Sequence, residues 1–408
     1  MTNPAERKFA DYSVMRVLAA FDKCKDSLCA DDLCSLAKGK IEGRYQGVSV
    51  EEMPQTDGGE GFSSILTRSR KGELRCVRAT DSLGRICDVR VGFLETGRLS
   101  EEVVALLSLP ESGAIALVEM AEVAGLAALD AEERNPWKTS TVGVGECLRQ
   151  CKEWGVCAIL LGIGGSSTND MGVGALSALG VRFLDGMDGQ VEFPCPQTWD
   201  SVRAVDAGAR LSLPPVWIAC DVSNPLLGEN GATRQFGRQK GLRSEDEELM
   251  ENGMFEMSRM LAAGFPGKEH DTEAPGMGAA GGIGFGLSVA FDVSMVGGFS
   301  LVSKWFDLEK KIEQCDLVLT GEGRFDSTSL QGKGPCEILR MAGKYGKKAI
   351  LLAGSVEDDA VSRMKKEIPS AEIHAFGRKD LSLSENLARA DELFQSKLDE
   401  LMDGMGMN

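Results

Sequence analysis

The sequence predicts an α/β protein: an open, doubly wound parallel sheet formed by both chain ends, with a second, mixed α/β domain inserted between them. Three observations carry this expectation. Apolar runs of strand length alternate with amphipathic helices at each end of the chain, and the middle has a different texture. Three acidic loops, Phe21 to Leu28 (FDKCKDSL) and the glycine-spotted Thr56 to Gly61 (TDGGEG) and Thr320 to Asp326 (TGEGRFD), each follow a short apolar run that reads as a buried strand. In open parallel sheets ligands bind beyond the carboxyl ends of the strands, so loops of this kind are expected to converge on one crevice.

From the amino end, Met15 to Phe21 reads as a strand and Ala30 to Tyr45 as an amphipathic helix with the acidic start Ala30-Asp31-Asp32. Val48 to Met53 follows as a strand and Gly61 to Arg70 as a helix. A β-α-β-α beginning requires a parallel sheet with right-handed crossovers. The grammar returns later: strand Leu317 to Thr320, helix Pro335 to Tyr345, strand Ala349 to Ala353, helix Asp358 to Lys366, strand Glu372 to Phe376, and a last helix Ser384 to Met402. Two strands are too few for a stable open sheet, whereas about five in the order 2-1-3-4-5 complete a standard doubly wound arrangement. Residues 1–71 and 297–408 are therefore expected to form one discontinuous domain. Its crevice, between the first and third strands, sets the loop at Phe21 beside the loop at Thr320. Residues 72–296 read as the inserted domain, with alternating runs Leu74 to Arg78 and Cys87 to Phe93, a buried strand Ala114 to Glu119 and a helix Val142 to Trp154.

At 408 residues and 43% hydrophobic, the chain has apolar material for two cores. Its 45 Lys+Arg against 62 Asp+Glu leave a formal charge of -17, which repels nucleic acid and anionic lipid at long range, so neither is expected as a partner. An anionic substrate needs a local cationic patch; Lys25, Lys240, Arg324 and Lys333 lie within or beside the glycine-rich segments. Twelve scattered cysteines match no common zinc or disulfide spacing and read as buried reduced thiols. Only His270 and His374 are present, too little for a zinc site or a histidine-based triad. With no secretory signal and no membrane-spanning run, a soluble, cytoplasmic protein is expected. A homo-oligomer is left open.

Cys157 to Gly162 reads as a strand, Gly164 to Asp170 (GGSSTND) as a turn and Gly172 to Leu179 as a helix. Backbone N–H groups at such a helix start, with hydroxyls added, form a nest for phosphate oxygens. The same residue types are good helix caps, but one cap needs one of them and here five run from Ser166 to Asp170. Gly165, Ser166, Ser167, Thr168 and Asn169 are thus candidates for phosphate contact. The GxGxxG match at Gly276, Gly278 and Gly281 follows DTEAP instead of a strand, which argues against a dinucleotide fingerprint. Its tract, including Gly282, permits close helix packing or backbone approach to a ligand, or serves as a hinge. Asp57 and Glu60 suit a hydrated magnesium ion, which takes one or two carboxylates plus phosphate oxygens, and equally suit a tight turn. Lys333, beyond Asp326-Ser327-Thr328 and Gly332, meets a phosphate or is simply solvated.

Taken in order, FDKCKDSL, MPQTDGGEG, RNPWKTSTVGVGE, LGIGGSSTND, CDVSNPLLG, FGRQKG, GAAGGIGFG, TGEGRFDSTSLQGKGP and LAGSV resemble the glycerate kinase type I family from about Val14 to about Val356. Any one segment is weak; nine collinear segments are specific. The resemblance implies transfer of the γ-phosphoryl group of ATP to D-glycerate, usually at the 2-hydroxyl, with Mg2+. It also implies a flavodoxin-like domain built from both chain ends, an inserted α/β domain and a site in the cleft between them. Motif matches fall on Asp22, Lys25, Ser27, Asp57, Glu60, Ser166, Thr168, Asn169, Asp170, Asp221, Asn224, Gln239, Lys240, Glu322, Arg324, Asp326 and Lys333. The first loop departs from the family's PDSFKGSL at Phe21, Lys23, Cys24 and Asp26, and Met171 and Arg238 stand for the usual Gly and Pro.

Phosphoryl transfer asks mainly for alignment and charge neutralisation, with a carboxylate near the attacking hydroxyl as optional base. The expected allocation places ATP phosphates on the GGSSTND loop, Gly281, Gly282 and Lys333, and magnesium on Asp57, Glu60 and Asp170. The glycerate carboxylate falls to Lys25 and Arg324, with Glu322 and Lys240 nearby. Asp326 is the first choice for base and Asp22 the second. Glycerate 3-kinase activity is the nearest alternative. A nicotinamide-dependent hydroxy-acid oxidoreductase lacks its fingerprint here, and a two-lobed binding protein has no use for so many carboxylate loops.

Overall fold

The computed structural model describes residues 14–187, 189–267, 270–330, 332 and 334–405. Its strands are β1 (Met15–Phe21), β2 (Val48–Glu52), β3 (Glu73–Thr80), β4 (Ile86–Glu95), β5 (Ala114–Glu119), β6 (Ala158–Gly162) and β7 (Arg182–Leu184). They continue as β8 (Ala204–Asp206), β9 (Val216–Ala219), β10 (Val293–Val296), β11 (Leu317–Phe325), β12 (Lys348–Val356) and β13 (Glu372–Ala375). The chain divides into two compact units, Met1–Gln55 with Asp307–Asn408, and Thr56–Phe306. Among the described residues no helix is long and apolar enough to cross a membrane.

In the first unit the strand order is β13-β12-β11-β1-β2, every pair parallel, which is the doubly wound order expected from the sequence. The strands are near-continuous apolar runs because helices cover the sheet, as parallel sheets require. Val17, Ala19, Leu317, Leu319, Ile350 and Leu352 pack against Leu33, Ala37 and Ile41 of the helix Ala30–Arg44 and against Phe394 and Leu398 of the helix Ala390–Gly404. Phe394 sits edge-on to Phe21 at 5.3 Å and to Phe376 at 5.7 Å and is fully buried. Phe394→Leu keeps most of the volume but loses both aromatic pairs, so a stability loss of about 2 kcal/mol is expected in urea unfolding.

The second unit holds a six-stranded sheet in the order β10-β9-β6-β5-β4-β3 and a small pair β7-β8. The strands β5, β6, β9 and β10 are mutually parallel, and β3 and β4 add an antiparallel hairpin. All four parallel strands therefore end on the same side, where their loops gather.

Several boundaries move from the sequence expectation for identifiable reasons. The helix Phe62–Ser69, expected with the terminal domain, buries Phe62 and Leu66 against Leu94, Ile115, Leu117 and Trp305 in the second unit. The helix Gly298–Trp305 joins the same core through Leu301, Val302 and Trp305. Hence the units part at Gln55/Thr56 and Phe306/Asp307 instead of 71/72 and 296/297. Strand β11 does not stop at Thr320: its partner β12 keeps pairing through Glu322↔Ala353, Arg324↔Ser355 and Phe325↔Val356. The glycines of TGEGRF interrupt the apolar pattern without interrupting the ladder. The last helix is two, Leu383–Ala388 and Ala390–Gly404, parted at Arg389. The twelve cysteines are all free thiols, most of them buried, with Cys29 and Cys76 exposed.

Candidate active site

In the first unit β1 and β11 lie side by side, and the chain leaves both at their carboxyl ends. Asp22 N–H donates to Gly321 O at 2.9 Å, continuing the ladder past β1, and Lys23 N–H donates to Asp22 Oδ1 at 2.8 Å. The next residues close a tight turn, with Cys24 N–H on Leu28 O at 2.8 Å, Leu28 N–H on Cys24 O at 3.1 Å and Ser27 Oγ–H on Cys24 O at 3.1 Å. Asp26 occupies left-handed backbone, φ 62°, which explains why the resembling family carries glycine there; aspartate is among the few residues that tolerate it. Lys25 is exposed on this turn. A Cβ on Gly323 would fall 3.2 Å from Cys24 Cα and 3.3 Å from Lys25 N, so the Asp22–Leu28 turn and the end of β11 are in contact. Burial, helped by the charges of Asp22 and Glu322, pushes the Cys24 thiol up to about 12, so it stays neutral and is no nucleophile.

Glu322 and Arg324, two residues apart, share one face of β11: Glu322 is 6% exposed, and Arg324, nearer the strand end, is exposed. The Arg324 guanidinium pairs with Asp326 at 3.2 Å and with Glu357. Asp326 Oδ1 accepts from Thr328 N–H at 2.8 Å and Thr328 Oγ–H at 2.6 Å. The first-choice base thus has one oxygen closing a turn and the other facing a cation. Lys333 lies outside the described residues.

In the second unit the Thr56–Gly61 loop lies at the carboxyl ends of β6 and β9. Gly164 N–H donates to Gly58 O at 2.9 Å, tying this loop to the one after β6. Asp57 is exposed and Glu60 half-buried, the latter reaching toward Gly165. Gly298 separates two acids: a Cβ there would fall 2.8 Å from Asp57 O and 2.9 Å from Asp221 Oδ2. Asp221 Oδ2 also accepts from Phe299 N–H at 2.9 Å in the first turn of its helix. Among the described residues no three acidic, histidine or cysteine side chains form a ready-made metal cage. That suits magnesium, which is held by one or two carboxylates and completes its shell with water and phosphate.

The GGSSTND loop is mostly interior, which corrects part of the expected phosphate nest. Gly165 is exposed and Ser166 is 8% exposed at the rim, whereas Ser167, Thr168, Asn169 and Asp170 are enclosed. Ser167 N–H and Oγ–H donate to Ala124 O at 2.8 and 2.9 Å, and Asn169 Nδ2–H donates to Thr233 Oγ1 at 3.1 Å. Asp170, assigned to magnesium from the sequence, offers no open face. Its Oδ2 accepts from Thr141 N–H at 2.8 Å, Thr141 Oγ–H at 2.8 Å and Gly174 N–H at 3.1 Å, and Oδ1 accepts from Gly172 N–H at 3.2 Å. Burial raises its carboxyl and these bonds oppose the rise. Lys240, expected near the substrate, is buried too, its Nζ donating to Thr168 O at 2.6 Å. Burial pushes its ammonium down to about 7 against the opposing pull of Asp170. Both charges are internal supports of the loop.

The glycine tract has the same character. A Cβ on Gly281 would fall 2.2 Å from Thr168 O, so Gly281 and Gly282, both buried, serve close backbone packing. The residues before Gly276 form turns, so the GxGxxG match has no leading strand. Sequence reasoning missed Glu119, the last residue of β5. Its Oε1 accepts from Gly61 N–H at 3.0 Å and its Oε2 from Ser63 N–H at 3.1 Å, and it is 3% exposed. A glutamate closing the otherwise apolar run AIALVE was the available signal.

Two α/β units that each set acids and glycine-bearing loops at the carboxyl ends of parallel strands define an enzyme for small molecules. Residues 17–405 match the glycerate kinase family model, and the chain belongs to that family. It is 33% identical to the glycerate 2-kinase of Escherichia coli K12 over 347 residues, 85% of this chain and 86% of that one. It is also 33% identical to the glycerate kinase of Bacillus subtilis 168, with 85% and 86% covered. A crystal structure from Salmonella typhimurium LT2, described as a glycerate kinase 2, superposes with a TM-score of 0.69 at 27% identity, covering 96% of this chain and 98% of that one. Membership assigns the chain glycerate kinase activity, with ATP as phosphoryl donor.

Proposed function

We propose that the chain phosphorylates D-glycerate at the 2-hydroxyl, with Mg2+. The observation that carries this reading is the cluster at the carboxyl ends of β1 and β11, where Asp22, Lys25, Glu322 and Arg324 stand at the switch point of a doubly wound sheet. The name of the Escherichia coli relative favours the 2-product. Lys25 and Arg324 receive the glycerate carboxylate. Arg324 is available for this because its guanidinium is exposed, and surface ion pairs are worth only about 0–1 kcal/mol. Asp22 takes the hydroxyl proton; it is placed ahead of Asp326 because it directly follows β1 at the switch point of the sheet. Gly165 and Ser166 at the open rim contact phosphate, as does Lys333.

Asp57, with Glu60 and Asp221, holds magnesium. The ion neutralises phosphate charge and aligns the transferring group. The enclosed Ser167, Thr168, Asn169, Asp170 and Lys240 keep the rim in shape.

The direct test is ADP release coupled to D-glycerate, followed by analysis of the product as 2- or 3-phosphoglycerate. Formation of 3-phosphoglycerate overturns the regiochemistry, and absence of glycerate-dependent ADP overturns the function. In the same assay Arg324→Ala is expected to raise KM for glycerate about 10-fold or more, as loss of a charge-assisted bidentate contact does, with KM for ATP little changed. Impairment of ATP binding alone removes the carboxylate role.

A further inference from the structure

We propose that Glu119 is a positioning residue for the magnesium-bearing loop: by holding Gly61 N–H and Ser63 N–H it fixes where Asp57 and Glu60 stand. The proposal rests on the reading of Thr56–Gly61 as the metal loop. The helix Phe62–Ser69 begins at Gly61, φ 89°, with no side-chain cap of its own. Phe62 N–H reaches Gly59 O at 3.1 Å, and the N–H groups on either side of it, Gly61 and Ser63, need other acceptors. Glu119 supplies both from another strand, one oxygen on each side of the helix start, at 3.0 and 3.1 Å. The carboxylate is 3% exposed, so it is not itself a ligand for solvent-borne groups.

Its own placement is rigid. Glu119 ends β5 opposite Gly162 of β6, in the ladder that leads into the GGSSTND loop. Beside it, Ser63 Oγ–H donates to Leu117 O at 2.8 Å and Ser63 Oγ accepts from Gly92 N–H at 2.9 Å, locking the same helix start to β4 and β5. The loop residues Asp57 to Glu60 are thus pinned at one end by Glu119 and in the middle by the Gly164–Gly58 bond. Asp57 immediately precedes the anchor at Gly58 and Glu60 immediately precedes the one at Gly61. A buried acid that orients a metal-bearing segment is conventionally felt in metal affinity more than in turnover.

The test uses the full chain and measures Mg2+ affinity by isothermal titration calorimetry, alongside the initial rate against free Mg2+ at saturating ATP and D-glycerate, for wild type, Glu119→Gln, Glu119→Asp and Asp57→Asn. Glutamine turns an amide N–H toward one of the two donors, and aspartate keeps the charge but is too short to span both. Each Glu119 variant is expected to need about 10-fold more Mg2+ for half-maximal rate, with KM for D-glycerate unchanged. A raised requirement in Asp57→Asn with none in Glu119→Gln overturns the positioning role and leaves the metal loop standing. A wild-type requirement in Glu119→Asp, with a raised one in Glu119→Gln, assigns the effect to charge and also overturns it. An unchanged requirement in Asp57→Asn removes the metal reading and this proposal together. Should Glu119→Gln fail to fold, Glu119→Asp carries the same decision.

Discussion

Asp22→Asn is expected to lower kcat for glycerate phosphorylation by about 10²–10³-fold, the usual contribution of a positioned general base. Asparagine fits the site without disturbing it. Its side-chain oxygen can still accept from Lys23 N–H, and the ladder bond from Asp22 N–H to Gly321 O belongs to the backbone. Melting temperature should therefore stay within about 2 °C, because substitutions that leave packing and polar pairing intact cost little. What asparagine cannot do is take a proton. Steady-state kinetics and thermal unfolding on the same preparation check both halves. Asp326→Asn is the internal control: it weakens the turn that Asp326 Oδ1 makes with Thr328 and the pair with Arg324. If Asp326→Asn abolishes turnover while Asp22→Asn retains it, the two acids exchange roles.

Asp170→Ala is expected to cost about 3–5 kcal/mol, as the loss of a buried charged acceptor that leaves several donors unsatisfied does. Four hydrogen bonds from Thr141, Gly172 and Gly174 lose their acceptor, and Lys240 loses the negative charge that favours its protonated form. For a unit of this size that corresponds to a fall in Tm of roughly 10 °C. The pH dependence follows from the lysine. Its folded value, about 7, lies below the ordinary 10.5, so between these limits the unfolded chain binds the extra proton. Stability therefore rises with pH across that window, and the cost of the buried lysine is fully present below about 7. Removing Asp170 depresses the lysine further and widens the window downward. Urea unfolding of wild type and variant at several pH values from 6 to 9 measures both effects; a variant as stable as wild type would show the loop is held by other means.

The doubly wound sheet was legible because parallel strands buried on both faces are written as unbroken apolar runs, such as Val17–Phe21 and Leu317–Leu319. The loops at Phe21 and Thr56 were legible as loops, and the placing of the first beside β11 followed from strand order alone. Which polar residues face outward was not legible. Ser166 to Asp170 look alike on paper as hydroxyls, amide and acid, yet only the first of them reaches the surface, since the rest are claimed by Thr141, Thr233, Ala124 and Lys240. Lys240 misled for the same reason: a lysine beside glycines reads as exposed, and its burial depends on a carbonyl 72 residues away. The end of β11 misled because two glycines hid a strand that its neighbour sustains. At Met171 the chain sets a bulky residue at φ 56°, where the family pattern carries glycine; the departure was visible, its backbone strain was not.

The central strand β1 is hydrogen-bonded on one side to β2 and on the other to β11, whose residues come about 300 positions later, as in Ala20↔Thr320. On a ribosome, the amino-terminal β-α-β unit emerges with one edge of β1 unsatisfied. The entire second unit must be synthesised before the complementary edge exists. An unpaired, apolar strand edge is an invitation to pair with another chain. Nascent copies of this polypeptide thus pass through a long interval in which chaperone shielding or early folding of residues 56–306 guards against self-association.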